Sequence, residues 1–164
     1  MDKIITRRAN VNDADAIVRL IRELAGSMGE TTTLDATYVR HHLSAPGSEV
    51  LLTESEEAAG DDSRAGSETP SGVIKRTAVG LLSYSLRSNL FHAAPSALIE
   101  EFVVSANARG RGVGSALLEH LFGVLKTLGC AEVSVTTMPE NHAALKFYRS
   151  HGMTDEAVFL EKHF

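Results

Sequence analysis

The feature that most limits how this chain can fold is the junction Ala108-Arg109-Gly110-Arg111-Gly112-Val113-Gly114-Ser115, set between an apolar run, Leu98 to Val104, and a long leucine-rich stretch, Gly112 to Leu128. The run before it reads as a strand. The stretch after it, with Leu117, Leu118, Leu121, Leu125 and Leu128 at helical spacing, reads as a helix packed on that strand. A tight, glycine-rich strand-to-helix turn leaves the first amides of the helix without internal partners, at the positive end of its dipole. Such a place binds phosphate, with glycines allowing close approach and arginines adding donors. The competing reading is a glycine-rich turn with solvated arginines. A Walker loop fails because Gly114-Ser115-Ala116 has no lysine, and a dinucleotide G-x-G-x-x-G begun at Gly110 ends on Ser115.

Around this junction the chain divides into two styles. Its first part reads as strand Lys3–Arg8, a helix capped by Asn12 or Asp13 and stopped by Gly26 and Gly29, and a shorter helix from Leu34 to Leu43 with Leu34, Tyr38 and Leu43 inward. Strands follow at Glu49–Thr53, Thr77–Leu86 and Leu98–Val104. Beyond the junction the order becomes helix, strand (Glu132–Thr136), helix (Asn141–His151) and a last strand (Ala157–Lys162). This predicts one α/β domain over residues 1–164, a three-layer α-β-α arrangement around a mixed, largely antiparallel sheet. The segment Glu54–Arg76 is rich in Glu, Asp, Ser and Gly and has almost no large apolar residue before Val73. It reads as a flexible hairpin insert, too polar to offset its ordering entropy.

Composition excludes several functions. A net charge of −5 gives no basic field for nucleic acid. It suits either solubility or a cationic substrate. Cys130 is the sole cysteine, so no intrachain disulfide forms. No window approaches the ~20 apolar residues of a membrane span, and Met1–Arg8 lacks a signal-peptide core. A cytoplasmic protein without membrane or nucleic-acid partners is expected. The histidines show no metal-ligand spacing, so no metal is expected, and no G-x-S-x-G supports covalent catalysis.

Two motifs carry a family resemblance. Arg109-x-x-Gly112-x-Gly114 resembles the Arg/Gln-x-x-Gly-x-Gly/Ala pyrophosphate signature of the GCN5-related N-acetyltransferase (GNAT) superfamily. Asn141 to Met153, NHAALKFYRSHGM, is similar to that family's N-x-x-A-x-x-F-Y-x-x-x-G-F block, with Met153 in place of an aromatic. The two stand in the family's order, and the resemblance runs from about Ile4 to Lys162. A looser similarity links Arg19–Ala25 and the acidic pair Glu100-Glu101 before Phe102 to the diamine (spermidine/spermine) acetyltransferase branch.

The resemblance implies an acetyl-CoA-dependent N-acetyltransferase acting on a primary amine such as a polyamine, aminoglycoside, amino acid or other small amine. Acetyl-CoA is the implied co-substrate, and a homodimer the implied assembly. The backbone of Phe102, Val103 and Val104 is then expected to pair with the pantetheine arm. The segment Arg109, Gly110, Arg111, Gly112, Val113, Gly114 and Ser115 holds the pyrophosphate. Asn141 caps its helix and reaches the arm, and Tyr148 sits near the sulfur as general acid.

Glu100 and Glu101 interrupt an otherwise apolar strand, and adjacent strand residues point to opposite faces. A carboxylate buried there needs a partner or a task, and burial raises its pKa toward proton-transfer use. The resemblance to the diamine branch favours Glu100 as the base or substrate anchor, with Glu101 in reserve; simple solvation at an open sheet end is the alternative. A non-catalytic acetyl-CoA sensor and a protein or peptide amine acetyltransferase remain alternative functions. Acceptor choice is expected to lie in Gly26–Thr33, Asn89–Pro95 and Met138–Glu140.

Overall fold

Alternating apolar side chains on consecutive strands force a sheet that must be covered twice, and the computed structural model, which describes residues 3–58, 74–155, 160 and 162, shows that outcome. Five strands lie in chain order: β1 (Ile4–Arg8), β2 (Ser48–Ala58), β3 (Ile74–Asn89), β4 (Ala94–Val104) and β5 (Glu132–Val135). The first four pair antiparallel and β4–β5 is parallel. That reversal follows from the helix between them, because a parallel neighbour needs a crossover.

Helices α1 (Ala14–Ser27) and α2 (Ala36–Ser44) cover one face, and α3 (Val113–Thr127) and α4 (His142–Ser150) the other. Leu52, Leu81 and Val103 join Ile17, Leu20 and Val39 in one core. Leu51, Leu82 and Ile99 join Leu117, Leu118, Leu121 and Leu125 in the second. Burying a leucine contributes about 1.5–3 kcal/mol, so the α3 leucines dictate which face of that helix turns inward. The three-layer α/β architecture expected from the sequence is the one observed.

Two bulges interrupt the regular pairing of the sheet. In β3, Gly80 pairs with Thr53 and Ala78 with Glu54, leaving Val79 as an extra residue. This bulge turns both Val79 and Gly80 toward α3. A Cβ at Gly80 would lie 2.6 Å from Val113 Cγ1 and 3.0 Å from Leu117 Cδ1, so only glycine lets α3 approach this closely. The second bulge lies in β4 and shapes the site.

Several local expectations are corrected. Asp13, one of the two expected caps, does stand at the N-cap position of α1, but the side-chain capping is done one turn earlier by Asn10. The Asn10 side chain accepts from the Asn12 N–H, the Asp13 carboxylate accepts from the Asn10 N–H, and a 3-10 turn at Val11–Asp13 leads into α1. The Asp13 carboxylate makes no cap hydrogen bond to α1; its oxygens bind Arg7 at 2.8 Å as well as the Asn10 N–H. Gly26 lies within α1, and Gly29, with φ +75°, follows its end. Asp35 caps α2, which puts Val39 inward and leaves Tyr38 62% exposed. Leu128 lies past the last turn of α3 and is 48% exposed. Strands β2 and β3 reach Ala58 and back to Ile74, so both ends of the acidic segment are ordered in the sheet. The expected last strand, 157–162, lies outside the described residues except for Leu160 and Lys162. Among the described residues no helix is long and apolar enough to cross a membrane.

Candidate active site

The site begins where β4 and β5 part. Their parallel register runs from Ser96–Glu132 to Ile99–Val135 and stops. β4 continues to Val104, still paired with β3 through Val104–Gly80. Glu100 to Val104 therefore have no strand partner on the β5 side among the described residues. The cause is a bulge: Tyr84 pairs with Ile99 and Ser83 with Glu101, so Glu100 is the extra residue. Bulges bend a strand and end its pairing. Here the result is an open main-chain edge at Phe102, Val103 and Val104.

The start of α3 lies at the end of this edge. After β4 the chain makes a 3-10 turn, Ala106–Ala108, then passes through Gly110 and Gly112 at φ +72° and +80°. Only glycine adopts this left-handed backbone cheaply. Gly112 is the N-cap residue and supplies no side-chain cap. The bond from the Ala116 N–H to the Gly112 carbonyl, at 2.9 Å, belongs to the first helical turn. The amides of Val113, Gly114 and Ser115 thus lie in that turn, at the positive end of the helix. Arg109 donates Nε to the Val104 carbonyl at 3.2 Å, and both Arg109 and Arg111 are exposed. A Cβ at Gly114 would lie 3.3 Å from Phe147 Cζ, so this turn of α3 packs tightly on α4.

Helix α4 delivers an aromatic cluster to the same edge. Asn141 caps it as expected, accepting from the Ala144 N–H at 3.1 Å. Tyr148 is 8% exposed, its ring 6.0 Å from that of Phe102 and 5.4 Å from that of Phe147. Desolvation pushes its hydroxyl up to about 12. No described residue hydrogen-bonds that hydroxyl, and among the described residues Ser55 Oγ is the one buried side-chain polar atom without a partner, so the tyrosine oxygen reaches solvent.

Glu100 and Glu101 depart from the strand rule. Both are exposed, not buried as expected. Ser85 donates to Glu100 Oε1 at 2.6 Å, Ser83 donates to Glu101 Oε2, and the Ser83 oxygen accepts from the Glu101 N–H at 3.1 Å. Ser83 and Ser85 alternate with Leu82 and Tyr84, which belong to the α3 core, so the serines face the α1/α2 side. The bulge therefore places both carboxylates on one face, where an unbroken strand would separate them. Hydrogen bonds rather than burial fix their positions.

One tie at this site has no sequence signal. His151 Nδ1 lies 2.8 Å from the Phe147 carbonyl, which requires Nδ1–H, and Nε2 lies 3.1 Å from Ser115 Oγ. It joins the end of α4 to the first turn of α3. Distant residues with no shared spacing meet only through the fold.

The chain is similar to proteins of known family and fold. The family model described as the acetyltransferase (GNAT) family matches residues 36–153. A glucosamine 6-phosphate N-acetyltransferase of Arabidopsis thaliana is 32% identical over 66 residues, which span 40% of this chain and 42% of that relative's length. Among solved structures, an aminoglycoside acetyltransferase from an uncultured soil metagenomic sample, in complex with sisomicin, superposes with a TM-score of 0.74 at 20% identity, covering 98% of this chain and 95% of the other. A ribosomal-protein-alanine N-acetyltransferase from Brucella melitensis biovar Abortus 2308 gives 0.74 at 14% identity, covering 99% of both chains. At these identities the structural likenesses speak to the fold.

Proposed function

The chain belongs to the acetyltransferase (GNAT) family, and from that premise we propose that it is an acetyl-CoA-dependent N-acetyltransferase acting on a primary amine of a small molecule. The observation that carries this reading is the adjacency of two unfilled main-chain features, the free β4 edge and the uncapped, left-handed entry to α3. A pantetheine arm offers amides that pair with an open strand edge. A pyrophosphate offers the negative charge that an uncapped helix start favours. Open space where Cβ atoms of Gly110 and Gly112 would lie leaves that backbone approachable. The residues present fit the molecule.

Phe102, Val103 and Val104 would hold the arm, Arg109 to Ser115 the pyrophosphate, and Asn141 would reach the arm from its cap. Acetyl-CoA supplies the acyl group as a thioester. An amine with a pKa near ~10 is almost wholly ammonium at neutral pH, so a base must take its proton first. Glu100, or Glu101 beside it, takes that proton directly or through water. Neither forms an ion pair with a basic side chain among the described residues, which favours an incoming ammonium group. A β4 amide stabilises the oxyanion. Tyr148 gives its proton to the departing sulfur; with its hydroxyl raised to about 12 it is protonated throughout the neutral range and acts there only as a donor.

Amines carried on sugars are acceptors in the names of two of these similar proteins, which puts amino sugars and aminoglycosides first among the acceptors to try. The protein is taken to work in the cytoplasm as a homodimer, which light scattering would check. Two measurements test the function. Coenzyme A at 100 times its Kd should add about 2.7 kcal/mol of stability. CoA release should then appear with at least one of glucosamine 6-phosphate, an aminoglycoside, spermidine or an N-terminal peptide. Binding without release for any amine supports a non-catalytic sensor; no binding at all defeats the proposal.

A further inference from the structure

The stretch Arg19–Ala25 does more than pack. Glu23, on α1, accepts the Ala106 N–H at 2.6 Å through Oε1 and the Ser105 hydroxyl at 2.8 Å through Oε2. Ser105 is the residue immediately after β4, and its own N–H donates to the Val79 carbonyl at 2.9 Å. Arg19, one turn earlier on α1, donates to the Ala78 carbonyl at 2.5 Å and lies 3.5 Å from Ser105 Oγ. One carboxylate thus holds the two residues at which the chain leaves the open edge and turns toward the Arg109–Ser115 loop. Burial alone would raise the Glu23 carboxyl. The Ala106 N–H, the Ser105 hydroxyl and the charges of Arg19 and Arg109 outweigh it and hold the group below the ordinary carboxylate value.

We infer that Glu23 is a positioning residue for cofactor binding: its two hydrogen bonds fix the exit of β4, and so fix where the phosphate-binding amides of the following loop stand. The inference rests on the proposal that this loop binds coenzyme A. The geometry explains how a helix on the α1/α2 face of the sheet bears on a loop that leads into α3 on the other face. Glu23 holds both Ser105 and Ala106, while Arg109 returns to the Val104 carbonyl. Hydrogen bonds to an ionised group are the strong ones. A misplacement of about 1 Å at a binding site can cost ~10²-fold. A cavity of about 250 Å³ opens beside Glu23, so a shortened side chain leaves room for water and the variant is expected to fold.

The test compares the wild-type protein with Glu23→Ala, Glu23→Gln and Ser105→Ala. Calorimetry with coenzyme A should show Kd raised about tenfold or more in Glu23→Ala and about threefold in Ser105→Ala. In Glu23→Gln it should be near wild type, because the amide oxygen still accepts from Ala106. The KM for acetyl-CoA should rise in parallel, with the acceptor KM unchanged. Wild-type affinity in Glu23→Ala overturns the inference, as does a rise in both KM values alike, which marks a global defect. Should Glu23→Ala fail to fold, unchanged affinity in Ser105→Ala overturns it. A wild-type protein without affinity for coenzyme A defeats the functional reading instead. The latch is then judged by amide hydrogen exchange across 105–112, where exchange about tenfold faster in Glu23→Ala upholds it and unchanged exchange overturns it.

Discussion

The Tyr148 ring lies 6.0 Å from the ring of Phe102, centroid to centroid, so the hydroxyl carried by α4 stands beside the stretch of β4 that has lost its parallel neighbour. If that hydroxyl protonates the leaving sulfur, Tyr148→Phe lowers turnover about 10²–10⁴-fold while coenzyme A affinity stays unchanged. Steady-state kinetics beside calorimetry check both halves. Undiminished turnover removes the role.

The same burial gives an alkaline signature. Tyr148 is raised to about 12 by desolvation, and burial raises Tyr84 in the same direction. Above an ordinary tyrosine pKa of about 10 the unfolded chain releases a proton that the folded chain keeps. The stability tied to Tyr148 is therefore complete below about pH 10 and is lost as pH rises toward about 12. Thermal melts through this window should fall steeply for the wild type and less steeply for Tyr148→Phe. Parallel curves would contradict the assignment.

On the acid side the relevant group is Asp13. Hydrogen bonds from Arg7 hold its carboxyl below the ordinary value, and Arg7 also binds Glu54 at 2.5 Å. Its contribution is present above about pH 4 and lost as pH falls through the lowered pKa. Asp13→Asn should cost about 1–2 kcal/mol at neutral pH, the lower part of the range for a charged hydrogen bond because Arg7 is partly in solvent. The variant's melting temperature should also fall less than that of the wild type on acidification. Equal acid sensitivity would exclude Asp13.

Gly80→Ala tests the close contact of β3 with α3. With Val113 Cγ1 at 2.6 Å from the added carbon, overpacking should cost about 1–3 kcal/mol. Adding Val113→Ala should recover part of that loss, since the clash is with that side chain. A double-mutant cycle in chemical denaturant measures the coupling, and purely additive losses would place the strain elsewhere.

Much of the site was legible because its determinants are local. The turn Arg109–Gly112, the α3 leucines from Leu117 to Leu125 and the cap at Asn141 each depend on residues within a few positions, and each stands as the spacing implies, whereas Leu128 does not. The placement of Glu100 and Glu101 was not legible. It depends on how β4 pairs with β3, and a bulge that reverses the side of one residue leaves no mark in the strand's own sequence. The tie of Glu23 to Ser105 and that of His151 to Ser115 likewise exist only once remote segments meet. Tyr38 and Val39 show the remaining limit. A short helix with apolar residues on neighbouring positions has two plausible inner faces, and packing against Ile17, Leu20 and Val50 buries Val39 rather than Tyr38.

The bulge at Glu100 also divides labour. Ile99 and Phe102 belong to the layer of α3 and α4, whereas Val103 belongs to that of α1 and α2 and the two carboxylates bind serines on that same side. On the proposed reading, this one strand would serve the acyl donor through one of its faces and the amine through the other. Exchanges on the α1 side would then alter which amine fits while leaving the α3 side intact, and Glu23, bound to Ser105 and Ala106, would be where the two sides are coupled.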